Sequence, residues 1–209
     1  MPERGWRPVR RLGIMGGTFD PVHYGHLLIA SEAVYRLDLE HVVLMPTGRP
    51  WQKDPAAVSP AEHRYRMTLL AAAEDPRFSV SRMEIDRPGP TYTVDTLREI
   101  RAVCGNATEL FFIAGADTLA TISTWHEGDA VPRLAHLVMG YRAGQRTTLA
   151  GAPPDRVTKI EVPGWGISST LVRNRVRRRQ SIRYLVADPV ARYIQENGLY
   201  RAPASGAPR

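Results

Sequence analysis

Cysteine, lysine and long apolar runs are scarce in this chain. A single cysteine, Cys104, among 209 residues excludes an internal disulfide and a cysteine metal cluster. No apolar stretch approaches the roughly 18 residues that a membrane-spanning helix needs, and the first residues lack the apolar run of a signal peptide. We therefore expect a cytoplasmic protein with no membrane partner.

Acidic residues are outnumbered by basic ones. Lysine plus arginine number 28 against 21 aspartates and glutamates, which gives a formal net charge of +7. Such a balance favours anionic partners, among them phosphates, nucleic acids and lipid headgroups. Six arginines and no acid lie within residues 171–184, but a nucleic-acid surface would interleave several aromatic rings, and only Tyr184 qualifies. We expect no nucleic-acid partner.

Apolar strands alternate with helical patterns along the chain. The strands are predicted at residues 9–15, 41–45, 80–85, 109–114, 137–141 and 157–162, and the helices at 27–37, 60–73, 93–103, from Asp117, and from Asp188 to Gly198. This order predicts an α/β fold with a doubly wound, mostly parallel Rossmann-like sheet and a small C-terminal helical part. We expect one domain over residues 9–200 and flexible tails at 1–8 and 201–209.

Local signals predict helix starts and one long loop. Residues 59–62, SPAE, are typical of a capping box with Ser59 as the cap. Thr91 or Thr93 is expected to cap the helix at 93–103, and Asp188 is expected to cap the last helix. The connection 45–59 holds three prolines with Trp51 and Lys53, and its length is typical of a mobile functional loop.

The stretch GGTFDPVHYGH, residues 16–26, joins the first strand to the first helix. Glycines at the start of a helix allow a phosphate to approach free backbone N–H groups. Three interpretations remain open from these residues: a metal site at His23 and His26 with Asp20 as the sole further ligand nearby, two histidines that only pack, or a site for phosphate chemistry.

A second polar stretch lies far downstream. Ser168, Ser169 and Thr170 stand where a helix is expected to begin, so their hydroxyls and free N–H groups can bind phosphate oxygens. Arg173 follows one turn later and can form paired bonds to the same oxygens. A serine-hydrolase interpretation fails because the G-x-S-x-G pattern is absent.

Both stretches resemble the signatures of the nucleotidylyl transferases. His23-Tyr24-Gly25-His26 is similar to their HxGH element, and ISSTLVR at residues 167–173 is similar to ISSTxIR. Four further segments resemble bacterial nicotinate-nucleotide adenylyltransferases: PWQK at 50–53, GPTYTVDT at 89–96, FIAGAD at 112–117 and STWH at 123–126. The resemblance covers essentially the whole of the expected domain.

The resemblance implies an assignment of site residues. Catalytic roles fall on His23, His26, Thr18, Lys53 and Arg173. Residues implied to bind ATP are Gly16, Gly17, Phe19, Gly25, His26, Gly115, Asp117, Ile167, Ser168, Ser169, Thr170 and Arg173. Residues implied to bind nicotinate mononucleotide are Thr18, Lys53, Thr93, Trp125 and Arg142.

The family reaction moves the adenylyl group of ATP to the 5′-phosphate of nicotinate mononucleotide, so the resemblance implies nicotinate adenine dinucleotide and pyrophosphate as products. Mg²⁺ is expected to arrive with ATP, with no protein metal site of its own. Nicotinamide mononucleotide or phosphopantetheine remains an alternative acceptor, and a non-catalytic nucleic-acid-binding protein is a remote alternative. The sequence is compatible with a homo-oligomer.

Overall fold

The computed structural model describes residues 9–145, 147, 149, 152–163 and 166–201. Of the two predicted tails, residues 1–8 and 202–209 lie outside this part, and Arg201 is exposed. Within the described residues, no helix has the length and apolar character needed to cross a membrane.

Six parallel strands form one sheet in the order β3-β2-β1-β4-β5-β6. The strands are β1 (Arg11–Gly17), β2 (His41–Pro46), β3 (Phe78–Val80), β4 (Glu109–Gly115), β5 (His136–Tyr141) and β6 (Val157–Glu161). Their central residues are buried on both faces, as expected for apolar runs in a parallel sheet. The prediction of a doubly wound, Rossmann-like α/β fold is confirmed.

Helices cover both faces of the sheet. They are α1 (Tyr24–Arg36), α2 (Ala61–Ala72), α3 (Met83–Asp86), α4 (Thr93–Cys104), α5 (Ala116–Leu119), α6 (Val131–Leu134), α7 (Ser169–Arg177) and α8 (Asp188–Glu196). Residues of α1, α2 and α8 pack into one core, and residues of α4, α5 and α6 pack into another. Both α7 and α8 follow the last strand, which confirms the small C-terminal helical part.

The structure corrects one predicted strand. The expected strand at 80–85 ends at Val80, and Met83–Asp86 is the short helix α3. Glu84 on this helix is buried and accepts a hydrogen bond from the Thr96 hydroxyl. The alternation of apolar residues at 80–85 therefore did not predict the secondary structure, because the burial of Glu84 depends on its contact with α4.

Three predicted helix caps are wrong. Pro60 is the N-cap of α2, and the Ser59 N–H donates to the Asp20 carboxylate. Tyr92 is the N-cap of α4 and makes no side-chain cap bond, and Ala187 rather than Asp188 precedes α8. Tertiary contacts replace the local caps, since Thr91 Oγ1 accepts from the Arg49 N–H at 3.2 Å.

The sheet order reverses at β1, with β2 on one side and β4 on the other. In open parallel sheets, ligands bind beyond the carboxyl ends of the strands at this reversal. The residues at these two strand ends are Gly16 and Gly17 of β1 and Gly115 of β4. The fold therefore presents the glycine-rich turn at the expected ligand position.

Candidate active site

The first motif forms a tight turn between β1 and α1. His23 is the N-cap residue of α1, and the helix begins at Tyr24. Phe19 is buried with a positive φ of 49°, and its ring meets the His26 ring edge-on at 5.0 Å between centroids. The turn thus rests on a buried aromatic ring, which fixes the position of the helix start.

His23 and His26 stack on each other, with ring centroids 3.7 Å apart and an angle of 24° between the planes. Burial lowers the pKa of His23 to about 4, with the charge of Arg142 acting in the same direction. Burial also lowers the pKa of His26 well below its usual value, aided by His23 and Lys53. Both rings are therefore neutral near pH 7.

One hydrogen bond fixes the tautomer of His26. Its Nδ1 accepts the backbone N–H of His23 at 3.2 Å, so in the neutral ring the proton resides on Nε2. The Nδ1 atom of His23 is buried and has no hydrogen-bond partner in the part of the chain that the structure describes. The pair therefore offers an imidazole N–H donor and an unsatisfied ring nitrogen beside the turn.

The second motif is bonded directly to the first. Ser169 Oγ donates to the Pro21 carbonyl at 2.9 Å, and Arg173 Nη1 donates to the Asp20 carbonyl at 2.7 Å. Ser168 is the N-cap of α7, and its side chain accepts from the Leu171 N–H at 3.1 Å. The predicted helix start at residues 168–170 is confirmed, and the starts of α1 and α7 lie together.

Asp20 has a structural environment rather than that of a free ligand. It is 4 % exposed, its Oδ2 accepts from the Ser59 N–H at 3.1 Å, and its Oδ1 accepts from the Tyr200 hydroxyl at 2.6 Å. No group of three His, Cys, Asp or Glu side chains able to hold a metal ion occurs among the described residues. Asp20 joins the turn to the loop end and to the C-terminal segment.

The loop between β2 and α2 brings Lys53 to the turn. Lys53 Nζ donates to Thr18 Oγ1 at 2.9 Å. Burial is the main cause that lowers the pKa of Lys53, and the nearby charge of Arg173 lowers it further. Lys53 and Arg173 therefore concentrate positive charge on one side of the turn.

A cavity of about 950 Å³ opens at the carboxyl ends of the strands. This volume suits a large nucleotide ligand. Its lining includes all but two of the predicted site residues: Gly16, Gly17, Thr18, Phe19, His23, Gly25, His26, Lys53, Thr93, Gly115, Asp117, Trp125, Arg142, Ile167, Ser168 and Ser169. Thr170 and Arg173 are not in this lining, and Arg173 Nη2 donates to the Thr170 hydroxyl at 3.3 Å.

Aromatic side chains line one side of the cavity, which we call the aromatic arm. Trp125 is half-buried, packs edge-on against Phe112 at 6.1 Å and donates from Nε1 to the Thr121 hydroxyl at 3.0 Å. Trp51 from the loop and Thr93 at the first residue of α4 line the same cavity. Trp125 thus packs against Phe112 and also borders the cavity.

A glutamine joins two predicted residues across the ends of β4 and β5. Gln145 Nε2 donates to Asp117 Oδ1 at 2.7 Å, and Gln145 Oε1 accepts from the Arg142 N–H at 3.1 Å. Asp117 follows β4 and Arg142 follows β5, so both lie at the carboxyl edge of the sheet. This bridge fixes their separation before any ligand arrives.

Sequence reasoning missed several residues of the site. Ile29 and Gly140 line the cavity and lie against each other, and a Cβ at Gly140 would approach the Ile29 side chain to 2.7 Å. Glu84 also lines the cavity, and burial raises its pKa to about 7. Arg64 is 1 % exposed beneath the turn. For Gly140, its place at the end of a buried strand was an available signal in the sequence. Ile29, Glu84 and Arg64 carry no such signal.

Comparisons with known proteins agree with this geometry. The sequence model of the cytidylyltransferase-like family matches residues 14–175. A relative from Acidothermus cellulolyticus, named "probable nicotinate-nucleotide adenylyltransferase", is 50 % identical over 201 residues, which cover 94 % of this chain and 97 % of the relative. A relative of the same name from Streptomyces coelicolor is 54 % identical over 187 residues, which cover 90 % of this chain and 99 % of the relative.

Solved structures share the fold. The nicotinic acid mononucleotide adenylyltransferase of Plasmodium falciparum, complexed with NaAD, superposes with a TM-score of 0.76 at 19 % identity and covers 92 % of this chain and 98 % of its own. The same enzyme complexed with APC gives a TM-score of 0.74 at 18 % identity with equal coverage. The family match and the relatives at half identity together show that this chain belongs to the cytidylyltransferase-like family and, within it, to the nicotinate-nucleotide adenylyltransferases.

Proposed function

We propose that this chain transfers the adenylyl group of ATP to the 5′-phosphate of nicotinate mononucleotide by direct in-line displacement. A phosphate oxygen of the mononucleotide bonds to the α-phosphorus, the bond from that phosphorus to the β-phosphate bridging oxygen breaks, and pyrophosphate leaves. The product is nicotinate adenine dinucleotide, an intermediate of NAD synthesis. The observation that carries the proposal is the direct bonding of the α1 turn to the start of α7 beside one cavity.

The histidine pair acts as donors rather than as a base. The attacking phosphate is already ionised near pH 7, so the reaction has no proton for a base to remove. A neutral His26 with its proton on Nε2 donates to an oxygen of the α-phosphate, and His23 beside it takes the same role. Donors held in place before the reaction stabilise charge that develops in the transition state, each by about 3 kcal/mol.

Cationic side chains and the start of α7 bind the leaving group. Ser168 is occupied by its own cap bond, so the free N–H groups of the first turn of α7 are the donors that face the β- and γ-phosphates. Lys53 lies at Thr18 and neutralises charge over the turn. Arg173 donates one N–H to the Asp20 carbonyl and one to the Thr170 hydroxyl, and it keeps further N–H groups for phosphate oxygens.

The aromatic arm fits the pyridine ring of the mononucleotide. Trp125 provides a flat face, and Thr93 at the start of α4 provides a hydroxyl and free N–H groups for the ring carboxylate. Arg142 is assigned to the mononucleotide phosphate. Asp117 is assigned to a ribose hydroxyl, in the manner of the acid in dinucleotide-binding folds.

Mg²⁺ is proposed to enter with ATP. The carboxylate nearest the turn, Asp20, already accepts two hydrogen bonds, which fits an ion bound mainly by the nucleotide. When bound, the ion supplies positive charge to the phosphates. We propose a cytoplasmic enzyme whose partners are the two nucleotides, with no nucleic acid and no membrane, and the sequence is compatible with a homo-oligomer.

A pyrophosphate-release assay tests the function. Purified protein with ATP and Mg²⁺ is offered nicotinate mononucleotide, nicotinamide mononucleotide and phosphopantetheine, and we expect the highest kcat/KM with the first. Equal or higher values with another acceptor would reassign the substrate. Tight, steeply salt-dependent RNA binding without pyrophosphate release would support the remote alternative instead.

A histidine variant tests the mechanism. His23→Ala is expected to lower kcat at least about 100-fold with little change in the KM for ATP, by analogy with the loss of one transition-state donor. His136→Ala is the matched control, because His136 is the first residue of β5, at the amino ends of the strands, and its ring forms a hydrogen bond with the Thr158 hydroxyl. Near-normal turnover of His23→Ala would remove the assignment.

A further inference from the structure

Arg64 in α2 is the largest side chain among the fully buried residues, with 1 % exposure. Its guanidinium donates to four backbone carbonyls: Thr18 at 2.9 Å, Thr47 at 2.6 Å, Gly48 at 2.9 Å and Ser59 at 2.9 Å. It forms no ion pair with a carboxylate in the described part of the chain. Burying a charge is costly, and here the four carbonyls and the nearby Asp20 carboxylate offset part of that cost.

The four acceptors mark both ends of one loop and the turn beside it. Thr47 and Gly48 follow β2 directly, and Ser59 stands just before α2, so they are the two ends of residues 47–60. Thr18 belongs to the glycine-rich turn between β1 and α1. One planar guanidinium therefore holds both loop ends and the turn at fixed separations.

That loop carries Lys53. The Lys53 ammonium reaches Thr18 Oγ1 while Arg64 holds the Thr18 carbonyl. Between its ends the loop is also held at Arg49 and Pro50, which pair with Thr91, whereas the 3-10 turn at Pro55–Ala57 contains no buried residue. The position of the Lys53 tip thus depends on how the loop ends are held as well as on this pairing.

We propose that Arg64 is a positioning residue, which holds the loop 47–60 against the turn and thereby sets the place of Lys53 over the phosphates. Arg64 itself touches none of the reacting groups. The proposal rests on the adenylyl transfer proposed above, in which Lys53 meets the phosphates.

A double-variant cycle measures this coupling. Arg64→Lys keeps the charge but loses the planar fork, so it cannot reach four separated carbonyls. We expect it to lower kcat/KM for pyrophosphate release about 30-fold in the wild-type background and less than about threefold in a Lys53→Ala background. Arg101→Lys is the matched control, because Arg101 also donates to carbonyls, those of Gly105, Thr108 and Leu134, and we expect less than about a twofold change.

Trypsin supplies a readout that does not depend on activity. Within the loop, Arg49 precedes a proline, so Lys53-Asp54 is the one bond that trypsin can cleave. We expect Arg64→Lys to raise the rate of cleavage at this bond at least about fivefold, while Arg101→Lys leaves it unchanged.

The outcomes separate the two proposals. Wild-type protein without pyrophosphate release would remove the proposed function, and the trypsin comparison would still test the loop. Equal losses from Arg64→Lys in both backgrounds, or unchanged cleavage at Lys53-Asp54, would overturn the positioning role. If neither Arg64→Lys nor Arg64→Gln folds, Arg64 serves general stability and the proposal fails as well.

Discussion

Acidification should destabilise this protein through the stacked histidine pair. The pKa of His23 is about 4 in the folded chain against an ordinary value of 6.5. Between pH 6.5 and pH 4, His23 therefore binds a proton in the unfolded chain but stays neutral in the folded chain. The stability that the neutral ring contributes is complete above pH 6.5 and is lost as the pH falls towards 4.

Linkage gives the size of the effect. Integration of the difference in proton binding between pH 7 and pH 4.5 gives a loss of about 2.5 kcal/mol for His23 alone. His26 adds to this in the same direction, because its pKa is also lowered. A loss of this size is a large part of the stability of a typical domain.

The assay compares wild type with His23→Asn by urea unfolding at pH 7, 6, 5 and 4.5. Carboxylates titrate alike in both proteins, so the difference in unfolding free energy isolates the ring. We expect wild type to lose about 2–3 kcal/mol relative to the variant across this range. A difference that stays constant with pH, or a His23 ring pKa near 6.5 by NMR titration, would refute the burial argument.

Three further predictions follow from buried or confined positions. The unfolding free energy of Glu84→Gln should rise by about 2 kcal/mol relative to wild type between pH 5 and pH 8. The pKa of Glu84 in the folded chain, about 7, lies above the ordinary value of 4.5, so wild type loses the stability of the neutral acid as the pH rises. A pH-independent difference in urea unfolding would contradict this. Gly48→Ala should cost about 1–3 kcal/mol, since its Cβ would overlap the Glu84 carbonyl oxygen, whereas Gly115→Ala, with open space around it, should unfold like wild type in the same assay. Trp125→Ala should raise the KM for nicotinate mononucleotide roughly tenfold and leave the KM for ATP within about twofold, and equal changes in both constants would assign the ring to packing alone.

The sheet was predictable from sequence because its strands are buried on both faces. Runs such as residues 109–114 show no polar alternation, and the chain order of strands and helices then permits few topologies. The failure at 80–85 has a physical cause. Glu84 is buried by a bond to Thr96, twelve residues away, and a local pattern cannot report that contact.

The meeting of the two phosphate motifs was also predictable, because both sit where helices begin beyond strand ends. Lys53 and Trp125 were assigned by resemblance, and the structure places both on the cavity. Arg64 could not be found in this way. The chain has 26 arginines against two lysines, and the sequence does not distinguish an arginine bonded to four carbonyls from one in solvent. The acceptor carbonyls lie up to 46 residues away along the chain.

The bonds between Ser169 and Pro21 and between Arg173 and Asp20 join residues 148 and 153 positions apart. Both Asp20 and Arg173 must therefore have left the ribosome before the turn and the start of α7 can bond to each other. Closing such a long loop is among the slower and later steps in folding. Catalytic activity in this enzyme consequently requires completed tertiary assembly. A partly folded intermediate that has formed only the central strands cannot consume ATP.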